Sequence, residues 1–292
     1  MILITFSVVI PNLNSLIIQH TIASLEQQTY PHNDFEVLVV GIDKYNLIRE
    51  SNLIGFDASD QPLSPAKARN RGAAKTSGEI IVFTDADCIP HADWLQMLAV
   101  RFTEPEVTVV GGGVCFQSQN YWTIADNVSM FHDYLATQPP GYRDQLPSLN
   151  LAIRRYAFDQ IGGFDERYPR PSGEDSDLTI RLRHAGYKLF FEPRAMITHA
   201  PPRNRLIDLI RHSYIQGKYS TKIDSRYNEV VGLPKLIRTR LGVILFSPLL
   251  GIYTTMKIYM DKEIRHHYWK YIPPILLSKI VWCFGASQHP KW

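Results

Sequence analysis

Two aspartates one residue apart close an apolar run in the stretch GEIIVFTDADCIP, Gly78 to Pro90. On an extended strand successive side chains alternate faces, so Asp85 and Asp87 are expected to project the same way while Ala86 turns to the core. Like charges so placed repel, and a cation or a donor-rich ligand would offset that cost. A hard divalent cation such as Mn²⁺ or Mg²⁺ favours oxygen ligands and keeps several waters, so one or two carboxylates can hold it.

Three further clusters carry chemistry. Lys67, Arg69 and Asn70 lie in PAKARNRG at an expected helix start, with Gly72 allowing close packing. The planar fork of Arg69 can pair with a carboxylate or a phosphate, and Lys67 reads equally well as part of a solvated basic face. The segment PSGEDSDLTIRLRHAG sets Glu174, Asp175 and Asp177 in the first turn of a helix, where the dipole favours negative charge. Capping alone accounts for one of these acids, and Asp177 reads as structural. His199, in MITHAPP, reads either as a packed or capping residue or as a ligand.

The elements that must position these groups alternate. FSVVIP, FEVLVVGID, GEIIVFTDAD and VTVVGGGVCF read as strands, and Leu16–Gln28, Ala66–Ala74 and Asp93–Phe102 as helices. Such alternation predicts an α/β fold with a mainly parallel sheet flanked by helices and a ligand site beyond the C-terminal strand ends. Asp43 and the Asp85/Asp87 pair fall at such ends. Neither GxGxxG after the first strand nor GxxxxGK[ST] anywhere is present, against dinucleotide and P-loop phosphate binding.

With 292 residues, 45% hydrophobic and 20% charged, the chain can bury one substantial core and an appended segment. Three scattered cysteines suit a reducing compartment and neither a disulfide framework nor a zinc site. MILITFSVVIP has no basic region or cleavage site and reads as the first strand. The charge is uneven: residues 1–202 hold 16 Lys and Arg against 23 Asp and Glu, and residues 203–292 hold 15 against 5. Basic charge mixed with apolar runs favours anionic lipid as a partner, and no nucleic-acid-binding signature accompanies it.

Four motifs in order resemble glycosyltransferase family 2, inverting nucleotide-sugar transferases of the GT-A (Rossmann-like) fold. SVVIPNLN resembles the family's opening strand and nucleotide-binding turn, and SLEQQTYPHNDFEVLVV its first helix and second strand. PAKARNRGAAKTSGEIIVFTDADC resembles its ARNxG segment and DxD motif. SLNLAIRRYAFDQIGGFDERYPRPSGEDSDLTIRLRHAGYKLFFEP resembles its acceptor block with the acidic ED motif. The resemblance covers residues 5–202 and implies a catalytic domain at 1–202, with a nucleotide-sugar half to about residue 115 and an acceptor half from about 116. It implies Asp87 as ligand of a divalent cation on the donor diphosphate, Asp85 near the ribose or a metal-bound water, and His199 near metal and diphosphate. Pro11, Asn12, Asn14, Lys67, Arg69 and Asn150 become candidate donor-side residues. Asp175 becomes the general base, with Glu174 its nearest competitor. In place of the family's VVDDGS-like ending the chain reads VVGIDKYN, so Asp43 is the one acid left there for base or ribose. Two other readings are a sugar nucleotidyltransferase and a membrane-bound scaffold that binds nucleotide without turnover.

Residues 203–292 form the second expected region. Leu241–Met260 and Tyr271–Ala286 are apolar runs interrupted by Pro248 and Lys257, and by Pro273, Pro274 and Lys279. Two spans would carry the basic 261–270 linker to the far side, against the positive-inside tendency. Re-entrant or interfacial helices on the cytoplasmic face of a membrane are therefore expected, with a glycan or lipid-linked acceptor; the alternative is that these segments complete a soluble core or an oligomer interface.

Overall fold

The computed structural model describes residues 4–118, 120–220 and 239–288. The basic residues Lys222, Arg226, Lys235, Arg238 and Lys291 of the expected membrane-binding region lie outside the described residues. In chain order the elements begin β1 (Phe6–Leu13), α1 (Ile18–Glu26), β2 (Phe35–Ile42), β3 (Ile54–Ala58), α2 (Pro65–Ala74), β4 (Ile80–Thr84), β5 (Cys88–Pro90), α3 (Trp94–Phe102) and β6 (Val109–Cys115). There follow α4 (Tyr121–Phe131), β7 (Gly141–Arg143), β8 (Asn150–Arg154), α5 (Arg155–Gln160), α6 (Glu174–His184), β9 (Leu189–His199), α7 (Leu206–Ser220), α8 (Arg240–Ile258), α9 (Lys262–Tyr268) and α10 (Ile272–Ala286).

The chain divides into two compact units. The first holds residues 1–115, 134–169 and 174–200; the second holds 116–133, 170–173 and 201–292. All nine strands among the described residues belong to the first, in one sheet of order β3-β2-β1-β4-β8-β6-β9-β5 with β7 paired to β9. β1 pairs in parallel with β2 and β4, and β3 with β2, so the ends of β2 and β4 reach one edge of the sheet. The parallel expectation describes this half. Beyond β4 the sheet is mixed, because β8 runs antiparallel to β4 and β6, while β9 runs parallel to β6 and antiparallel to β5. β3 lies in a stretch from which no strand was expected, its IGFDA sequence being short and only partly buried.

Local signals explain the elements nearest the site. Ser64 caps α2, its Oγ accepting from the Lys67 amide at 3.3 Å, and Pro65 follows at the first turn, where its missing N–H costs nothing. Gly72 lets α2 lie on the sheet: a Cβ there would come within 2.3 Å of Val9 Cγ1. Every residue of β4 is buried, and Phe83 packs edge-on against Phe164 with ring centroids 5.1 Å apart.

One expectation about β4 fails. The strand ends at Thr84, so Asp85, Ala86 and Asp87 do not alternate along it but form a turn, closed by the Cys88 amide donating to Asp85 O at 3.0 Å. Ala86 is buried as expected, and its carbonyl accepts from Ser15 Oγ at 3.0 Å and Thr21 Oγ1 at 3.3 Å. The turn redirects the chain so that Cys88–Pro90 can pair with the end of β9.

Between β6 and β9 the register shifts at Gly112/Gly113. Asn150, fully buried on β8, stitches this irregularity: its Nδ2 donates to Gly113 O at 3.1 Å and Ala195 O at 2.9 Å, and its Oδ1 accepts from Trp94 Nε1 at 2.9 Å.

The second unit is helical. α10 packs against α4, α7 and α8, and α7 meets α10 so closely that a Cβ at Gly285 would lie 2.1 Å from Tyr214 O. Polar groups are buried between these helices. Asp126 accepts from Arg203 Nε and from His212 Nδ1, each at 2.7 Å. Burial works against its charge, but these two partners outweigh that and hold its carboxyl below the usual range. Lys279 donates to Ser129 O at 2.6 Å, and Ser129 and Ser278 share a hydrogen bond of 2.7 Å.

Replacing Asn150 by leucine removes three buried hydrogen bonds and strands the Trp94 N–H. Asn150→Leu is expected to destabilise the fold by about 2–4 kcal/mol, read as a lower urea midpoint at unchanged slope.

Candidate active site

The guanidinium of Arg69 is almost fully buried, 2% exposed, on α2. Its Nη2 donates to Asp85 Oδ1 at 2.6 Å and its Nη1 to Glu174 Oε1 at 3.0 Å. The face of the group lies over the Phe164 ring, 5.4 Å from the centroid, so the fork is held from below by the core. Burial opposes the Arg69 charge, but Asp85 and Glu174 outweigh it and keep its pKa above the ordinary value. Asn70, the next residue, grips the turn that presents Phe164: its Nδ2 donates to Phe164 O at 2.9 Å and its Oδ1 accepts from the Phe164 amide at 2.8 Å.

Glu174 and Asp175 open α6 as expected, and they differ in environment. Glu174 is buried with Oε2 lacking a hydrogen-bond partner. Burial, reinforced by neighbouring Asp175 and opposed by Arg69, pushes its pKa up to about 7. Asp175 is half-buried. Its Oδ1 accepts from the Ser176 amide at 2.8 Å and its Oδ2 from the Ser148 amide at 3.3 Å. Burial raises its pKa, while Arg69 and those two amides pull the other way. Asp177 is the structural acid of the three, buried and bonded through Oδ2 to Arg181 Nε at 2.8 Å.

The two acids of the DAD turn go to different partners. Asp85 joins Arg69, whereas Asp87 faces His199, with Oδ1 and Nε2 3.8 Å apart. Strand pairing brings this about: Cys88 lies opposite His199 in the β5–β9 ladder, and the Ala200 amide donates to Asp87 O at 2.9 Å. Ligand atoms of Asp87, Cys88 and His199 lie within 4.8 Å of one another. A separation of 3.8 Å exceeds a hydrogen bond and falls within the reach of two metal–ligand bonds of about 2.1 Å each. The Asp87 carboxylate suits Mn²⁺ or Mg²⁺, and an imidazole beside it favours Mn²⁺ of the two. Cys88 suits neither, because a thiolate is a soft ligand and these cations prefer hard donors; burial, with Asp87 and Asp85 nearby, also pushes its thiol well above the ordinary value. Sequence spacing could not pair residue 88 with 199; only the strand register does so.

The remaining candidates divide. Asn12 bonds within its turn, Nδ2 to Ile42 O at 2.9 Å and Oδ1 from the Ser15 amide at 3.2 Å. Asn14 has φ 58° and accepts from the Lys44 amide at 2.8 Å, and Pro11 closes the same strand end half-buried. These residues shape the edge from which Asp43 projects. Asp43 accepts from the Ile48 amide at 2.7 Å through Oδ2, while its Oδ1 is buried without a hydrogen-bond partner. Lys67 is exposed on α2, and the side-chain amide of Asn150, opposite Thr84 in the β4–β8 ladder, is engaged inside the sheet by Trp94, Gly113 and Ala195.

Comparisons with known proteins agree with this geometry. The family described as "Glycosyl transferase family 2" matches residues 45–162, and "N-terminal domain of galactosyltransferase" matches 132–201. The chain is 30% identical over 221 residues to Glycosyltransferase AglE of Haloferax volcanii, covering 73% of this chain and 71% of that protein. It is also 30% identical over 169 residues to a pre-mycofactocin glycosyltransferase of Mycobacterium tuberculosis, covering 56% of this chain but only 35% of the relative. Among solved structures, the mannosyltransferase PcManGT of Pyrobaculum calidifontis, in complex with GDP-Man and Mn²⁺, superposes with a TM-score of 0.58 at 17% identity, covering 94% of this chain and 86% of that one. Such a likeness bears on the fold, which is GT-A. Sheet, site and relatives together lead to one assignment: the chain belongs to glycosyltransferase family 2.

Proposed function

We propose that this protein is a metal-dependent, inverting glycosyltransferase that moves a sugar from a nucleoside-diphosphate donor to a hydroxyl of a glycan or lipid-linked acceptor. The observation that carries the reading is the buried Arg69 fork, which ties the DAD turn to the first turn of α6 and sets Asp175 beside that acid network. Asp87 and His199 are the residues that would hold a divalent cation, which supplies positive charge against the diphosphate when bound. Asp43, just beyond the end of β2, is the acid that accepts from the nucleoside.

Asp175 is the general base. It is half-buried and therefore reachable, and two backbone amides fix the direction of its carboxylate. It takes the proton of the acceptor hydroxyl as that oxygen bonds to the anomeric carbon; the bond from that carbon to the diphosphate oxygen breaks on the opposite face, inverting the centre. Glu174 is turned into Arg69 and positions the fork instead. The basic tail suits a membrane-proximal acceptor, and the proposed location is the cytoplasmic face of a membrane. A sugar nucleotidyltransferase would release pyrophosphate and a scaffold neither product, so measured release of nucleoside diphosphate tests the reading directly.

Three outcomes are expected. In calorimetry with Mn²⁺ and a nucleotide sugar, Asp87→Ala loses the metal-dependent part of donor affinity while remaining folded; unchanged affinity would remove Asp87 from the metal. Asp175→Asn keeps donor affinity and lowers turnover by about a hundredfold or more; near-normal turnover would transfer the role to another acid. The third concerns pH. The folded-state pKa of Glu174, about 7, lies above the ordinary 4.5, so the folded protein holds this proton more tightly than the unfolded chain does. Its contribution to stability is therefore fully present below the ordinary value and is lost as pH rises through about 7. Glu174→Gln, which cannot ionise, should flatten the dependence of apo-protein urea midpoints across that window; an unchanged slope would place the titration elsewhere.

A further inference from the structure

On α8 the side chains of Leu241, Leu245, Leu249, Tyr253 and Met256 are between 62% and 66% exposed. Their spacing of mostly four residues puts them on one face, and Ile252, 45% exposed, lies among them. The opposite face, with Gly242, Val243, Ser247, Gly251 and Thr255, is buried. Gly251 brings α8 onto α10, where an added Cβ would meet Ile280 Cγ1 at 2.6 Å. From Leu241 to Met256 the bare stripe runs ~22 Å, long for an uncovered apolar face on a soluble helix.

The charges around the stripe have one sign over most of its margin. Exposed Arg240 stands at its start, and exposed Lys257, Lys262 and Arg265 follow its end, with Glu263 the one exposed acid among them. Lys262, Glu263, Arg265, His266 and Trp269 line an open cavity of about 560 Å³. Trp269 is 65% exposed, an indole at a basic rim, as at a headgroup layer. Two copies joined through this stripe would crowd like charges together, whereas an anionic lipid surface complements them.

α8 is long and apolar enough to cross a membrane, but its surroundings argue against a span. Its inner face is spent on α10, and α10 carries Ser278 and Lys279 into polar contacts with α4. We infer that the outer face of α8 is an in-plane binding surface for anionic phospholipid, with the stripe from Leu241 to Met256 sunk among acyl chains and Lys262, Arg265 and His266 at headgroup phosphates. This deepens the membrane-proximal reading above and rests on it.

Flotation of the full chain with phosphatidylcholine vesicles, with and without phosphatidylglycerol, tests the surface. The wild type should float with the anionic vesicles, less at high salt, and should be released by alkaline carbonate. Leu249→Glu with Met256→Glu, at exposed positions, should weaken vesicle affinity by at least about tenfold, the scale of losing two buried apolar side chains. Leu241→Glu with Leu245→Glu should do the same from the other end. Lys262→Glu with Arg265→Glu should abolish the preference for anionic vesicles, and all three variants should keep nucleoside-diphosphate release with a soluble acceptor. Failure of the wild type to float overturns both this inference and the membrane-proximal reading. Normal flotation by both stripe variants overturns the α8 surface alone, and retention after carbonate overturns the in-plane geometry. A dimer formed without vesicles and dissociated by the stripe variants would assign the face to a second copy and overturn the lipid assignment.

Discussion

A buried arginine between two acids sets the terms for the unit that holds the sheet. Arg69 has left water almost completely, a cost that only well-placed opposite charge recovers. Asp85 and Glu174 meet its two terminal nitrogens, one from the turn after β4 and one from the start of α6, 105 residues after Arg69. Removing Arg69 would leave two carboxylates without their shared countercharge. The fork therefore fixes the distance between the DAD turn and the first turn of α6, and Phe164 ties that distance to the core.

The same economy of charge explains why the DAD turn separates its aspartates. Two carboxylates on one strand face would repel. The turn gives Asp85 to arginine and Asp87 to the imidazole of His199, so each acid has its own positive or polarisable partner. The β5–β9 ladder then determines which histidine is met. Asn150 contributes at one remove: by bridging the register shift between β6 and β9 it holds the strand whose last residue is His199.

The helical unit solves a different problem. Its buried Asp126 and the partly buried His212, Arg203 and Lys279 are matched within the bundle, so polar groups specify how α4, α7 and α10 fit together. α8 adds a layer whose inner face is matched and whose outer face is not. Apolar surface without a protein cover beside clustered basic residues is the pattern that in-plane membrane helices share.

Residue order was enough to read the alternation of strands and helices, the acids at the ends of β2 and β4, the acidic first turn of α6 and the basic tail. These are local signals, written in hydrophobic period and in residues next to one another. Family resemblance added roles for Asp87 and Asp175 that periodicity does not contain. Contacts between distant segments were illegible. No spacing rule joins Arg69 to Glu174 or Asp87 to His199, because strand register and helix placement decide which side chains meet. Asn150, a candidate beside the site by its motif, is drawn into the sheet because the register shift needs its amide. The apolar run of α8 was visible in sequence, but which of its faces stays bare depends on α10. Local preference determines what each segment can be; packing determines which atoms share a dry space, and there the chemistry is decided.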